Sequence, residues 1–372
     1  MKILHLEASP GWGGQEIRIL RESEGMRSRG HEVIMGVMEG GALIPQGCKA
    51  GFTVYSLNFN KTHWPYCLYR ILSLIRRHRI DLVNTHSSLD AWIGGIASRI
   101  ARRPIVRTRH LSTPIKPGWN SRILYGMLAD FVVTTCASIL PMICAQSRKK
   151  REECQSIPTG VDPSNIQFVK EASIKVRADL GIAQEDFLVG TACFIRSWKG
   201  IADFLKTADL LRGMRDVKWI VIGGGHEKEY RQMAKDLKLD GIVHFTGHLE
   251  NPFPALGALD LFALLSTAHE GVSQAILQAA YLGKPLVSTS VGGLNEVCLD
   301  RTTGILVEPF SPHQVAKAVL QLKENPILRE FLGRNSKRLA EERFTLVHTI
   351  DQMEIAYARA VAIHKQSEKS GI

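Results

Sequence analysis

Apolar runs of strand length alternate along the chain with segments of helical spacing. Lys2 to Leu6 predicts a strand, residues 9–14 a glycine-rich loop, Gln15 to Ser28 a helix, and His31 to Met38 a second strand. Such β–loop–α–β units build doubly wound parallel sheets. Further strands of this kind are predicted at 81–85, 104–108, 130–135 and 155–158.

The same alternation restarts after the polar, mixed segment 163–185. Strands are predicted at 187–193, 219–222, 242–245, 261–265 and 286–287. Helices are predicted at 227–237 and 272–282, followed by a helix-rich segment, 312–363, with breaks at Pro326 and near Phe344. A chain of 372 residues suits two domains of this size. We therefore predict two Rossmann-like α/β domains, residues 1–167 and 168–345, and a C-terminal segment 346–372.

The composition is that of a globular protein, with 45% hydrophobic residues. Glu7 interrupts the only early apolar stretch, and no apolar run approaches about 18 residues. We expect neither a signal peptide nor a membrane-spanning helix. The seven cysteines form no CxxC pair, which is typical of reduced thiols in a cytosolic enzyme.

The positive charge is concentrated in the first half. Residues 1–169 contain 22 Lys and Arg against 12 Asp and Glu, whereas residues 170–372 contain 25 against 24. This asymmetry suggests an anionic partner for the first half, either a membrane surface, a phosphorylated acceptor or nucleic acid. The alternative is an ordinary solvated surface. The segment 61–79, with a helical apolar face beside tyrosines and arginines, could meet lipid headgroups or be a plain surface helix.

The stretch 261–309 predicts a strand, a loop and then a helix, with helical spacing from Val272. The first N–H groups of a helix lack internal partners and attract phosphate. Gly271 allows the backbone to come close to such a group, and Ser273 can add a hydroxyl donor. Glu270 would repel a phosphate. Its carboxylate is better suited to accept hydrogen bonds from the hydroxyls of a sugar that is joined to the phosphate.

A basic pair, Arg196 and Lys199, follows a predicted strand in the sequence FIRSWKG. Two cations on a strand-to-helix loop can neutralise a diphosphate leaving group, whose charge grows as its bond to the sugar breaks. The alternative is that both are surface cations. We prefer the first interpretation because Trp198 and Gly200 constrain the loop.

Polar residues also follow the strands of the first half. His86 and His110 each come directly after a predicted parallel strand, where ligands bind in such sheets. A lone histidine is more often structural than functional, and its place at a strand end is what makes His110 a functional candidate. Gly13 and Gly14 lie in the first loop, either to bring N–H groups to a phosphate or to form a tight packing turn.

The sequence HEGVSQAILQAAYLGKPLVSTSVGGLNEV resembles the donor-site motif of family 4 glycosyltransferases. That family usually has two glutamates separated by seven residues. The first contacts the donor sugar and matches Glu270, whereas the second, which holds the ribose, is replaced by Gln278. An amide can still hydrogen-bond a ribose, but without charge. Most members have an arginine at the position of Phe194, and the pair Arg196 and Lys199 is similar to that of RSWKG-bearing enzymes of bacterial surface polysaccharide synthesis.

The resemblance implies a GT-B fold, in which two Rossmann-like domains face a cleft and the last helix crosses back to the first domain. It also implies roles for the residues above and for the glycine turn 223–225, which lies against the nucleotide base. The predicted catalytic residues are His110, Arg196, Lys199 and Glu270. The predicted substrate-binding residues are Gly13, Gly14, His86, Gly224, His269, Gly271, Val272, Ser273 and Gln278.

The implied reaction is retaining transfer from a nucleotide-diphosphate sugar to a glycan or lipid-linked acceptor, as in lipopolysaccharide synthesis. No cofactor and no metal are expected, since Arg196 and Lys199 can replace a divalent ion and no DxD or HExxH motif is present. The alternatives are a sugar-nucleotide epimerase and a nucleotide-sugar-binding protein without turnover, which Gln278 suggests. Nucleic-acid binding is not expected, because no reading motif is found. The expected location is cytoplasmic, peripheral on the inner face of the plasma membrane.

Overall fold

A computed structural model describes residues 1–166 and 170–370. Its strands are β1 (Lys2–Glu7), β2 (Glu32–Met38), β3 (Thr53–Leu57), β4 (Leu82–Thr85), β5 (Ile105–Arg109), β6 (Phe131–Thr134), β7 (Cys154–Ser156), β8 (Phe187–Ala192), β9 (Val217–Ile222), β10 (Val243–Gly247), β11 (Leu261–Leu264), β12 (Leu286–Thr289) and β13 (Gly304–Val307). Its helices are α1 (Gly14–Ser28), α2 (Leu43–Lys49), α3 (Trp64–His78), α4 (Ser88–Ile100), α5 (Trp119–Ser121), α6 (Leu140–Ser147), α7 (Lys170–Asp179), α8 (Ile201–Leu210), α9 (Glu227–Asp236), α10 (Phe253–Gly257), α11 (Gln274–Tyr281), α12 (Pro312–Glu324), α13 (Pro326–Arg343) and α14 (Leu346–Ser370).

The chain divides into two compact units. The first comprises Met1–Thr159 and Leu346–Ile372, and the second comprises Gly160–Thr345. The boundary that we predicted between residues 167 and 168 lies outside the described residues. Val161 already belongs to the second unit, because its N–H donates to the carbonyl of Phe344 at 2.7 Å. Such pairing between distant segments cannot be deduced from a change in composition.

The strands of the first unit form one parallel sheet in the order β3-β2-β1-β4-β5-β6-β7. The strand order reverses between β1 and β4, so the loops that follow these two strands diverge and leave a crevice at the carboxyl edge. Helices α1 and α14 cover one face of the sheet with buried residues such as Ile19 and Met353. Helices α3 and α4 cover the other face with Ile71 and Ile93.

The C-terminal helix α14 packs on the sheet of the first unit through a buried polar contact. Tyr357 is fully buried, accepts a hydrogen bond from the side-chain amide of Asn84 at 2.9 Å and donates one to the carboxylate of Glu22. Arg29, the residue directly after α1, pairs with Glu354 at 2.8 Å. Because a buried polar group is costly unless it is paired, these contacts specify where the helix docks. Residues 371 and 372 of the predicted C-terminal segment 346–372 lie outside the residues that the structure describes.

The second unit contains one parallel sheet in the order β10-β9-β8-β11-β12-β13. Its core includes the fully buried Trp219, against which Phe204 packs edge-on with ring centroids 5.0 Å apart. The order reverses between β8 and β11, which is the second crevice-forming point in the chain. The prediction of two doubly wound α/β domains is confirmed.

The sequence analysis missed the edge strands β3 and β13. Strand β3 is largely half-exposed or exposed, and β13 pairs only with β12 in the described part of the sheet. An edge strand of four or five residues needs little apolar surface, so the alternation of hydrophobic and polar residues along it is weak. The helix expected from Val272 begins at Gln274, because Ser273 is extended (φ −69°, ψ 134°). Among the described residues, no helix is both long and apolar enough to cross a bilayer.

Candidate active site

Lys199 and Glu270 contact one another at the carboxyl edge of the second sheet. They lie in the loops after β8 and β11, the two strands that flank the reversal of strand order. The ammonium of Lys199 donates to Oε1 of Glu270, and the hydroxyl of Ser266 donates to the same oxygen at 2.6 Å. The Glu270 side chain is 6% exposed and that of Lys199 is 16% exposed. Two residues predicted separately from the sequence thus form one largely buried pair, with Lys199 retaining N–H donors for a further anion.

Two glycines allow the loops around this pair to pack closely. Gly200 has φ +71°, and a Cβ there would lie 2.0 Å from the carbonyl oxygen of Leu265. Gly292 has φ +62°, and a Cβ there would lie 1.8 Å from the carbonyl oxygen of Glu270. The N–H of Gly293 donates to the same carbonyl at 3.2 Å. The turn at Gly292 and Gly293 therefore holds the backbone of Glu270, a role that the sequence did not reveal.

Arg196 is an exposed cation between two aromatic rings. Its guanidinium carbon lies 5.2 Å from the ring centroid of Phe194 and 5.3 Å from that of Trp198. The ring of His269 meets Trp198 edge-on at 5.5 Å, and His269 has φ +59°. Aromatic faces attract cations, so the two rings restrict where the guanidinium can point. This brings the predicted residues Arg196 and His269 onto neighbouring loops.

The glycine turn after β9 packs against the loop that contains Arg196. The N–H of Ile195 donates to the carbonyl of Gly224 at 2.8 Å. Gly223 and Gly225 both have φ +121°, and a Cβ on Gly223 would lie 2.1 Å from the carbonyl oxygen of Cys193. Gly224 is the residue that we predicted for the nucleotide site. The flanking glycines are the ones that the backbone conformation requires.

Helix α11 follows Glu270 and carries the remaining predicted donor-site residues. Ser273 is its N-cap, and the Ser273 hydroxyl makes no capping hydrogen bond. Val272 is buried, whereas Gly271 and Gln278 are half-buried. Gln278 lies in the second turn of the helix. The N-terminal amides of α11 and the hydroxyl of Ser273 are therefore donors that follow Glu270 directly in the chain.

In the first unit, the two predicted histidines are hydrogen-bonded to each other and to a third. Nδ1 of His86 lies 3.0 Å from Nε2 of His110, and Nε2 of His86 lies 2.8 Å from Nδ1 of His5. Burial lowers the pKa of His5, and burial together with neighbouring charges lowers the pKa values of His86 and His110 well below 6.5. All three rings are therefore neutral at physiological pH. The sequence analysis missed His5 because it lies within a strand rather than after one.

Gly13 and Gly14 form the start of α1, where the structure does not require glycine for tight packing. Gly13 is extended (φ −164°), and a Cβ on Gly14 would meet no atom within 4 Å. Beside them, Glu7 at the end of β1 accepts hydrogen bonds from the side chains of Gln15 and Ser87. The absence of crowding disfavours the interpretation of these glycines as a packing turn and leaves room at the N-terminus of α1.

Comparison with known proteins agrees with this arrangement. Residues 12–165 match the family described as Glycosyltransferase Family 4, and residues 187–325 match Glycosyl transferases group 1. An uncharacterised glycosyltransferase of Methanocaldococcus jannaschii is 28% identical over 176 residues, which is 45% of each chain. The UDP-Gal:alpha-D-GlcNAc-diphosphoundecaprenol alpha-1,3-galactosyltransferase of Escherichia coli is 23% identical over 96% of each chain.

A solved structure extends the similarity to the whole fold. The crystal structure of Anabaena HepE in complex with UDP superimposes with a TM-score of 0.85 and 25% identity, covering 96% of this chain and 100% of that one. The two parallel sheets, the lysine–glutamate pair at the reversal of strand order and the matches to both halves of the chain lead to one assignment. The chain is a glycosyltransferase of the GT-B fold and belongs to glycosyltransferase family 4.

Proposed function

We propose that this protein is a retaining glycosyltransferase that transfers a sugar from a nucleotide-diphosphate sugar to an acceptor in cell-surface glycan synthesis. The observation that carries the proposal is the buried pair of Lys199 and Glu270 at the crevice-forming point of the second sheet. One partner supplies a cation for the diphosphate and the other supplies a carboxylate for sugar hydroxyls. Both are held before the ligand arrives, which is what transition-state stabilisation requires.

The donor is a nucleoside diphosphate joined to a sugar. Structures of Anabaena HepE contain UDP, UDP with glucose, or UDP-glucose, which supports a uridine nucleotide as the first donor to test. In our proposal, Lys199 and Arg196 bind the diphosphate, whose negative charge grows as the sugar–oxygen bond breaks. The N-terminal amides of α11 and Ser273 contribute further donors to the diphosphate. Gln278 hydrogen-bonds the ribose, and the turn containing Gly224 contacts the base.

The chemistry follows from these positions. Glu270 accepts hydrogen bonds from hydroxyls of the donor sugar and orients it. His110, at the carboxyl edge of the first sheet, contacts a substrate sugar. The acceptor hydroxyl attacks from the face that the diphosphate leaves, as the bond between the sugar carbon and the diphosphate oxygen breaks. The hydroxyl proton passes to the departing diphosphate oxygen, and the anomeric configuration is retained. The proposed reaction requires no metal or other cofactor, because protein cations neutralise the leaving group.

The donor and the stereochemistry can be tested in one set of measurements. We expect UDP-glucose at about 100 times its Kd to stabilise the protein by about 2.7 kcal/mol in buffer containing EDTA. Product NMR with a cell-envelope lipid extract as acceptor should show the α-anomer. A β-linked product would contradict retention, and no binding of UDP-, GDP- or ADP-sugars would contradict the proposed donor class. Conversion of the donor in the absence of an acceptor would favour an epimerase. Binding of a nucleotide sugar without turnover, tested with many acceptors, would favour the nucleotide-sugar-binding protein that Gln278 suggests.

We further propose that the acceptor is presented at an anionic membrane surface that the first unit contacts. The Escherichia coli relative is named for an acceptor linked to diphosphoundecaprenol, which supports a lipid-linked acceptor. Helix α3 exposes Tyr66 and Tyr69, at 58% and 66% respectively, beside the exposed Arg76 and Arg77. The guanidinium of Arg70 lies over the ring of Tyr66 at 5.7 Å. Tyrosines flanked by arginines suit the headgroup layer of a membrane.

Replacing Arg76 and Arg77 with glutamine is expected to weaken binding to vesicles that contain phosphatidylglycerol. Each basic residue near an anionic surface contributes about 1 kcal/mol, so the loss should be roughly 30-fold at low salt. Vesicle co-sedimentation measures the effect. As a control, replacing the exposed Lys317 of α12 with glutamine should change it little. Equal binding to neutral phosphatidylcholine vesicles would contradict an electrostatic contact.

A further inference from the structure

The buried His5 and His86 and the half-buried His110 form a continuous hydrogen-bonded chain across neighbouring strands. His5 lies in β1, His86 follows β4 and His110 is the residue after β5, and these strands are adjacent in the sheet. The rings of His5 and His86 stack with centroids 5.1 Å apart and planes inclined by 12°. Those of His86 and His110 are 5.2 Å apart with planes inclined by 34°. Both links use one ring nitrogen from each partner, so the chain has one remaining nitrogen at each end.

The two ends lie in different surroundings. At the inner end, His5 is fully buried and its Nε2 has no hydrogen-bond partner among residues 1–166 and 170–370. At the outer end, His110 is half-buried and its Nδ1 is the nitrogen that does not take part in the chain. The cations Arg18 and Arg107 act on the rings of His86 and His110, which further opposes protonation of the chain.

A chain of neutral imidazoles has only two arrangements of its protons. Each link needs one N–H donor and one lone pair, so either all three protons are on Nδ1 or all three are on Nε2. In the first arrangement the buried Nε2 of His5 is a bare lone pair and Nδ1 of His110 is a donor. In the second arrangement the buried Nε2 of His5 is an orphaned N–H, and Nδ1 of His110 is an acceptor.

The first arrangement costs less. A buried N–H without a partner is rarer in proteins and more costly than an unused lone pair. The negative charge of Glu22 has the opposite effect, because it raises the pKa of His5 and so favours a proton on that ring. However, the Glu22 carboxylate is beyond hydrogen-bond distance of Nε2, accepts a hydrogen bond from Tyr357, and lies 3.6 Å from Nε of Arg18, which offsets its charge.

We propose that His5, acting through His86, is a positioning residue that holds His110 in the Nδ1–H tautomer, so that His110 donates a hydrogen bond to an oxygen of the bound sugar. The proposal rests on the proposed function for the identity of the ligand. It makes His110 a hydrogen-bond donor and excludes it as the base that removes a proton from the acceptor. The tautomer of a histidine is set by the bond that its other nitrogen makes, and here that bond is set by a third ring.

The tautomers can be measured directly by NMR on the whole protein labelled with ¹⁵N-histidine. We expect Nδ1 to be protonated in His5, His86 and His110. In His5→Asn the side-chain amide can replace Nδ1 as donor, so the tautomer of His110 should be kept. In His5→Leu the donor is lost, and His110 should become a mixture of both forms. Detection of His110 as the Nε2–H form in the unmutated protein would overturn the proposal.

Kinetics provide the second readout. We expect His5→Leu to lower kcat/KM for the donor about tenfold, as for the loss of one hydrogen bond, and His5→Asn to lower it less than twofold. Replacing the exposed His313 of α12 with leucine is the control and should have no effect. Equal loss in the Asn and Leu variants would indicate a purely structural role and contradict the proposal. If the protein bound no nucleotide sugar, the proposed function would fail while the NMR measurement would still test the histidine chain.

Discussion

Replacing Lys199 with alanine is expected to lower kcat for sugar transfer about 10²- to 10³-fold, the range found when one preorganised donor to a developing negative charge is removed. Lys199 lies after β8 at the reversal of strand order in the second sheet, and its side chain is only 16% exposed. Its charge therefore acts on the diphosphate with little screening by solvent. The exposed Arg196 lies in a wetter environment and cannot compensate fully.

The same substitution removes the cationic partner of Glu270. Among the residues that the structure describes, that carboxylate would keep Ser266 as its one side-chain donor, and breaking a buried ion pair destabilises a protein. Loss of activity must therefore be separated from loss of folding. Circular dichroism measures the folded fraction of the variant, and transfer of radiolabelled sugar is then compared at equal concentrations of folded protein. Lys317→Ala, an exposed lysine on α12, is the control. Unchanged transfer in folded Lys199→Ala would refute the proposed role of the lysine–glutamate pair.

Replacing Gly292 with alanine is expected to lower kcat/KM by about 100-fold, although residue 292 supplies no side chain to the site. A Cβ would lie 1.8 Å from the carbonyl oxygen of Glu270, so one of the two loops must move. The left-handed φ of +62° adds roughly 1–2 kcal/mol of strain for alanine. A displacement of about 1 Å at a substrate-positioning group is enough to cost about 10²-fold in rate.

Gly213→Ala is the matched control, since a Cβ there meets no atom within 4 Å and its φ is not in the left-handed region. Steady-state kinetics with a thermal unfolding curve for each variant separates misplacement of Glu270 from global destabilisation. If folded Gly292→Ala showed the kinetics of the unmutated enzyme, the close approach to Glu270 would have no functional consequence.

The contact between Lys199 and Glu270 is compatible with both of their proposed roles. An ammonium group has three N–H donors, of which the carboxylate uses one, so two remain for diphosphate oxygens. Glu270 has a second oxygen, Oε2, that can accept hydrogen bonds from sugar hydroxyls. In the proposed complex, Lys199 would contact the diphosphate of the donor while Glu270 contacts its sugar.

Local patterns in the sequence were sufficient to predict the two doubly wound domains, most of their central strands and the positions of Lys199, Glu270 and His110. These features depend on short-range physics, because buried parallel strands are apolar runs and ligand-binding residues follow their carboxyl ends. The edge strands β3 and β13 were missed because a strand with one neighbour needs few apolar residues. Gln278 was recognised only by its place relative to Glu270 in a family motif.

Only the tertiary structure decided which of these loops meet. The contact of Lys199 with Glu270 joins residues 71 positions apart, and the support of Glu270 by Gly292 joins two further loops. His5 lies 81 positions from His86 in the sequence, and the two residues meet because β1 lies beside β4. Strand order is set by the packing of all helices and strands together rather than by any one segment, so a local pattern could place each residue at a strand end but could not pair it with its partner.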